Sequence, residues 1–344
     1  MKNKLLLLLF LLEVVFPLSA QESEVLISTS HTSLLLSTPQ GGELKFLYYG
    51  RKLTDADVHA VVSTESGSFS AYPVYGLNCP SESALSVQHE DGNMTLQMEV
   101  IGVETIHQEK ADLTVISLKD KVYPFYVKLC YKAYQDVDVI EAWTEISHKE
   151  KKNVKLNQFA SAYLPVRKGN VWLSSLYGAW ANEARLVQEP LEPGMKVIKN
   201  KDGVRNSHTA HAEVMFSLDG QPRENSGRVI GAALCYGGNY KLRIDTDESE
   251  FHHFYAGINE DNSVYHLKSG EVFKTPELVL TYSDEGLSGG SRNFHRWARA
   301  YKLANGDKLR KILLNSWEGV YFKINESGMK QMMADISSMG GELL

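Results

Sequence analysis

From residue 24 to about residue 283 the apolar positions fall in short runs separated by turn residues. "LTVISL", "FYVKLCYKAY", "DVIEAWTEI", "RVIGAALCY" and "ELVLTYS" are rich in β-branched and aromatic side chains and alternate locally with polar ones. "QGGE", "EDGN", "KDG", "LDGQ", "YGGN" and "KSGE" punctuate them. No ten-residue helical period stands out in this stretch. A succession of short strands predicts a large β-sandwich, two antiparallel sheets packed face to face. No repeat at a fixed period is present, which argues against a propeller or β-helix.

The period changes at Gly286. In "SGGSRNFHRWARAYKL" the residues Phe294, Trp297, Ala298 and Tyr301 share one helical stripe, with Ser291 as the expected cap. "ANGDK" then breaks the helix. A third pattern follows. "KILLNSW" reads as a short apolar strand. "NESGMKQMMADISSMGG" reads as a helix with Asn325 as N-cap, Met329, Met332, Met333 and Ile336 on one face, and Gly340 and Gly341 at the C-cap. "ELL" begins another extended run. Strand, helix and strand start make a βαβ unit with parallel strands and a right-handed crossover. An apolar first strand suits a parallel sheet buried on both faces, which implies more strands than this stretch holds. The expectation is therefore the front part of a longer protein.

Composition changes this picture little. The chain has 344 residues, ordinary apolar and charged fractions and a formal net charge of −6. It has no basic stripe with interleaved aromatics, which excludes a nucleic-acid footprint and favours a neutral or acidic small-molecule or glycan partner over a polyanion. Lys2 and Lys4 precede an apolar run from Leu5 to Leu12, and "PLSAQES" offers a cleavage point after Ala20. Glu13 interrupts the run before it reaches the ~20 apolar residues of a membrane span. Residues 1–20 are thus expected to be an export signal, placing the mature chain in the periplasm or outside the cell.

Cys79, Cys130 and Cys235 are too few for a disulfide framework, and Cys130 and Cys235 lie in strand-like runs that predict burial. No spacing suits zinc. His208 and His211 in "HTAH" lack a further ligand nearby and are expected on a loop or surface. No metal and no cofactor is predicted.

Two remaining signals are local. "NMT" at Asn93 and "NES" at Asn325 are glycosylation sequons, Asn325 being better explained as a helix cap. The "GGN" turn at Gly237, Gly238 and Asn239 reads as a plain hairpin turn.

Residues of the C-terminal third resemble glycoside hydrolase family 36, the α-galactosidase family. The matching positions are Gly257, Ile258 and Asn259; Leu267, Gly270 and Glu271; Thr275, Pro276 and Glu277; Tyr282, Ser283, Gly286 and Leu287; and Phe294 with His295. Asn315, Ser316, Trp317, Glu318, Tyr321 and Phe322 complete the set. "YGAWANEARLVQEPLEPG", "NSH" and "GAALCYGGNY" resemble weaker family segments further upstream.

The resemblance implies a mainly β protein. A large antiparallel β-supersandwich over residues 21–285 would be followed by a helical linker, 286–307. Residues 308–344 would hold the first βα unit of a truncated (β/α)8 barrel. Trp317 would then stand at the C-terminal end of the first barrel strand, where barrel active sites form. From the pattern alone Trp317 is equally a cap on the barrel core or a ring facing a ligand. The resemblance implies contact with a galactose ring, an indole face against the apolar C–H face of the sugar. Glu318 is expected to orient its neighbours rather than to react. The family's nucleophile and acid are both Asp on later barrel segments, so no catalytic residue is assigned to this chain, which alone should be inactive.

One departure from the family pattern stands out. Family tetramers carry Gly-Thr-Gly-Asp-aromatic-Arg after "YP"; here Cys79 and Ser81 occupy the Asp and Arg places in "YPVYGLNCPSESAL". The partners implied are an α-galactoside oligosaccharide or glycan and a second copy of the chain in a homo-oligomer, with no membrane once the leader is removed. Two other expectations compete. One is a carbohydrate-binding or interaction β module without catalysis. The other is the front half of a transglycosylating relative such as a raffinose synthase.

Overall fold

In the computed structural model the described residues are 23–344 except 40, 65–68, 77–81 and 206–208. The leader, Cys79, Ser81 and His208 lie outside them. The described strands form three antiparallel sheets of four, six and ten strands. The β-rich expectation is met, with three sheets where the sequence pattern predicted two.

The ten-stranded sheet shows why the local alternation was informative. Ala111–Asp120, Phe125–Tyr134 and Val139–His148 are successive neighbours in continuous register. From Thr114 to Asp120 every second side chain is buried, as one sheet face packing on a core requires. The six-stranded sheet is built around Val154–Lys168, which pairs with Phe251–Ile258 and bends at two register shifts. The two sheets meet through fully buried rings. Phe216 on Ala210–Ser217 and Phe254 on Phe251–Ile258 lie edge to face, centroids 5.2 Å apart.

The four-stranded sheet, Ser23–Ser28, Thr32–Thr38, Lys45–Arg51 and Phe69–Ser70, is tied to the rest by a long-range polar contact. Asp138, at φ 54°, accepts from Thr29 Oγ1 at 2.8 Å and from the His31 backbone N–H at 2.7 Å.

Three local expectations are corrected. A helix does occur in the β region, at Asp55–Thr64. Its apolar positions form no clear stripe, which hid it, but its start is capped: Thr54 Oγ1 and Asp57 Oδ2 are 2.8 Å apart, and Thr54 N–H donates to the same carboxylate at 2.9 Å. The "GGN" turn does not close a hairpin. It joins Val229–Leu234 of the ten-stranded sheet to Tyr240–Thr246 of the six-stranded one. Cys235, just past the end of Val229–Leu234, is exposed, whereas Cys130 is buried as expected.

The chain divides into two compact units, one ending at Phe294 and the other beginning at His295. The boundary falls within the helix Gly286–Trp297, which continues as a π turn over Ala298–Lys302. The helix starts at Gly286 rather than at a Ser291 cap. Gly286 has φ 67°, and a Cβ there would lie 2.5 Å from the Arg223 carbonyl oxygen, so only glycine serves. Asn293 anchors the helix by donating from Nδ2 to Thr281 Oγ1 at 2.8 Å.

In the C-terminal unit the helix Glu326–Ser338 follows its predicted caps. Asn325 Oδ1 accepts from the Gly328 N–H at 2.8 Å. Gly340, at φ 89°, and Gly341 close a Schellman motif, their N–H groups donating to Ser337 and Ile336 carbonyls. The preceding strand is shorter than predicted. Residues 312–317 make one parallel bridge, Leu313 with Leu343, supported by Leu314 N–H donating to the Leu343 carbonyl at 3.0 Å. The parallel sense is as expected. A parallel pair without further neighbours has too few ladder bonds to extend.

Candidate functional site

The chain leaves the Leu313 bridge and turns at once. Asn315 Oδ1 accepts from the Trp317 N–H at 2.9 Å, an Asx turn that starts the short helix Trp317–Val320. The helix stops at Tyr321, whose φ of 46° and ψ of −120° lie outside the regions comfortable for a bulky residue. That stop folds two rings back towards Trp317. Tyr321 lies edge-on to the indole at 5.5 Å between centroids, and Phe322 does so at 4.9 Å.

The result is an aromatic cluster open to solvent. Trp317 is 44 % exposed and Phe322 87 %. Glu318 sits beside it and accepts from the Tyr321 hydroxyl at 3.0 Å. This carboxylate therefore braces the cluster, in keeping with the orienting role expected of it. Behind the cluster, the Met332 methyl lies where it would just touch a Cβ at Gly319, 3.5 Å away. This brings the Met329, Met332 and Ile336 face of the helix Glu326–Ser338 over the turn. Those three side chains are half-buried, while Met333 on the same predicted stripe is exposed.

Two flanking rings hold the indole plane, and one carboxylate faces a phenol. Such an arrangement offers a flat apolar surface with polar groups at its rim, suited to a ring-shaped polar molecule. The site contains one carboxylate in hydrogen-bond contact with its aromatic members, so it does not by itself hold a pair of carboxyls for acid–base chemistry. Among the described residues no three His, Cys, Asp or Glu side chains converge on a metal-sized space.

Trp317, expected as the last residue of a strand, instead opens the short helix Trp317–Val320, four residues beyond the Leu313 bridge. Tyr321 and Phe322 join it, although neither was assigned a role from the sequence. The signal available was their spacing, four and five residues after Trp317. Cys79 and Ser81, the departure noted in the sequence, are not among the described residues. His211 pairs loosely with Glu213 at 3.4 Å and takes no part in the cluster.

Comparison with known proteins accounts for nearly the whole described chain. Residues 42–268 match the glycosyl hydrolase family 36 N-terminal domain, and residues 272–344 match melibiase. Alpha-galactosidase Mel36A of Lactobacillus acidophilus is 31 % identical over 241 residues, covering 70 % of this chain and 33 % of that protein. The crystal structure of the α-galactosidase AgaA of Geobacillus stearothermophilus superposes with a TM-score of 0.86 at 24 % identity, over 93 % of this chain and 49 % of that one. A variant of AgaA solved in complex with raffinose gives a TM-score of 0.85 at 25 % identity, with the same shares of the two chains. The chain spans a third to a half of the length of these proteins.

Proposed function

Because this chain belongs to glycosyl hydrolase family 36, we propose that it is the N-terminal portion of a retaining α-galactosidase that removes terminal α-linked galactose from oligosaccharides or glycans. The observation that carries this is Trp317, half-exposed at the start of the helix that follows the Leu313 bridge and held by Tyr321 and Phe322. Its free indole face serves as the platform for the galactose ring, excluding water around the bond to be broken. The likeness to α-galactosidases, one of them solved with raffinose, supports an α-galactoside as the substrate.

Retaining hydrolysis needs one carboxyl to attack the anomeric carbon and a second to protonate the leaving oxygen, the two roughly 5–5.5 Å apart. We assign neither role to a residue of this chain. Glu318 is engaged by the Tyr321 hydroxyl and keeps the platform in place. The reaction calls for no metal or organic cofactor. Lys2, Lys4 and the leucine run that follows support export, with the mature chain working in the periplasm or outside the cell and assembling with copies of itself.

Two assays test this. The purified 344-residue chain should release no galactose from raffinose, and release would overturn the assignment of both carboxyls elsewhere. Disrupting the gene in its host should abolish galactose release from raffinose outside the cytoplasm, and unchanged release would overturn the α-galactosidase role.

A further inference from the structure

A cleft of about 870 Å³ opens in the N-terminal unit where all three sheets meet. One wall is the strand Lys45–Arg51, with Phe46 and Tyr48 half-buried in it. The opposite wall is Phe251, packed edge to face on Phe69 at 4.8 Å. The buried ring of Tyr282 forms part of the floor. Phe46, Tyr48, Phe69 and Phe251 are all half-buried, so each presents part of its ring to the cleft.

The charged residues lining the cleft are Arg167, Lys168 and Arg228, and Asp219, which is not part of the lining, holds Arg228 in place. Arg228 Nε donates to both oxygens of Asp219, at 3.0 and 3.1 Å, and its backbone N–H donates to the same carboxylate at 2.8 Å. Arg167 stands 3.9 Å from the same carboxylate. The Arg228 hydrogen bonds hold the Asp219 carboxyl below its usual range, so it stays an acceptor. Burial pushes the Tyr282 hydroxyl up to about 12, so it stays a donor at neutral pH. The Lys168 ammonium lies 5.8 Å from the Phe251 centroid and adds a mobile donor at the rim.

The wall behind Phe251 is braced from within. His253 meets the Tyr163 hydroxyl through Nδ1 at 2.7 Å and Asp247 through Nε2 at 3.2 Å, with Phe69 edge-on to its ring. This chain of contacts is buried at Tyr163 and His253 and fixes the backbone that presents Phe251.

We infer that this cleft is a second, non-catalytic site for a neutral oligosaccharide, separate from Trp317. Flat rings meet the C–H faces of the sugars, while Arg228, the Tyr282 hydroxyl and the Tyr48 oxygen, whose proton goes to the Arg51 carbonyl at 2.9 Å, meet their hydroxyl groups. The volume falls within the ~300–1,000 Å³ of small-molecule sites, room for several hexose units. A lipid would cover the charges of Arg167, Lys168 and Arg228 that line the cleft, and Asp219 already balances the Arg228 charge, which weakens the case for a polyanion. The inference rests on the N-terminal unit alone and stands whether or not Trp317 contacts galactose.

Isothermal titration of the full chain with neutral tri- and tetrasaccharides, raffinose and stachyose included, tests it. At least one is expected to bind saturably. Tyr48→Ala and the rim variant Lys168→Ala should weaken that binding, Tyr48→Ala by about tenfold or more, which is ~1.4 kcal/mol. Trp317→Ala should change it less than about twofold. Because Lys168 is exposed, its variant separates lost contact from lost folding. The site is overturned if no neutral oligosaccharide binds up to about 10 mM. It is also overturned if Trp317→Ala removes the binding while the cleft variants keep it, or if charged glycans alone bind.

Discussion

The indole of Trp317 and the ring of Phe322 meet edge to face, 4.9 Å between centroids and 87° between planes. Contacts of this kind contribute about 0.5–1.5 kcal/mol beyond area burial. Both rings are also substantially exposed, so their packing orients the indole more than it holds the fold. Trp317→Ala is therefore expected to leave the main calorimetric unfolding transition within about 2 °C of the parent. It should remove the near-ultraviolet circular dichroism that the cluster contributes. A large fall in the transition would show that Trp317 belongs to a core.

Phe216→Ala should behave in the opposite way. The ring is fully buried and packs on Phe254 between the two larger sheets. Truncation leaves a cavity there and should cost about 3–5 kcal/mol in urea unfolding.

The strands that were read from the sequence carry a local code, whereas the strand holding Phe216 was not singled out. Alternation along Ala111–Asp120 and the caps at Asn325 and Gly340 are decided by near neighbours in sequence. The features that escaped are decided at long range. Nothing near Gly237 tells whether the chain turns back into its own sheet or crosses to another. Asp138 finds Thr29 and His31 only after folding. The cleft rings come from Phe46, Phe251 and Tyr282, far apart in the chain, so no motif links them. The helix Asp55–Thr64 was within reach, since Thr54 and Asp57 form its cap, but its β-branched residues resemble a strand. Trp317 was placed by its position after an apolar run, whereas the bracing by Tyr321 depends on a backbone conformation that its sequence does not favour.

Acid stability should depend on Asp261. Hydrogen bonds from Lys199 and then Lys241 lower its carboxyl to about 2. The folded state thus favours the ionised form. Its contribution is complete above the unfolded value of about 3.9 and is lost as pH falls from there through about 2. Lys199→Ala should return the carboxyl towards its usual value and move the acid-unfolding midpoint, followed by circular dichroism, to higher pH. An unchanged midpoint would mean that the ion pairs contribute nothing to folding.

The two described cysteines should differ in reactivity. Burial pushes the Cys130 thiol up to about 12, while Cys235 is exposed. Iodoacetamide at about pH 8 should alkylate Cys235 in the native protein and reach Cys130 only after denaturation, because the thiolate is the reacting form. Peptide mapping reads both sites. Native labelling of Cys130 would show that its strand opens.

The most direct measurement follows the indole Nε1–H of Trp317 by nitrogen–proton correlation NMR while galactose is added. The chain has five tryptophans, and the cleft of the N-terminal unit is lined by none of them. With Trp317→Phe assigning the signal, galactose at millimolar concentration should shift the Trp317 resonance and leave the other four in place, and glucose should not. A Trp317 resonance that stays fixed through the titration would contradict its role as the sugar platform.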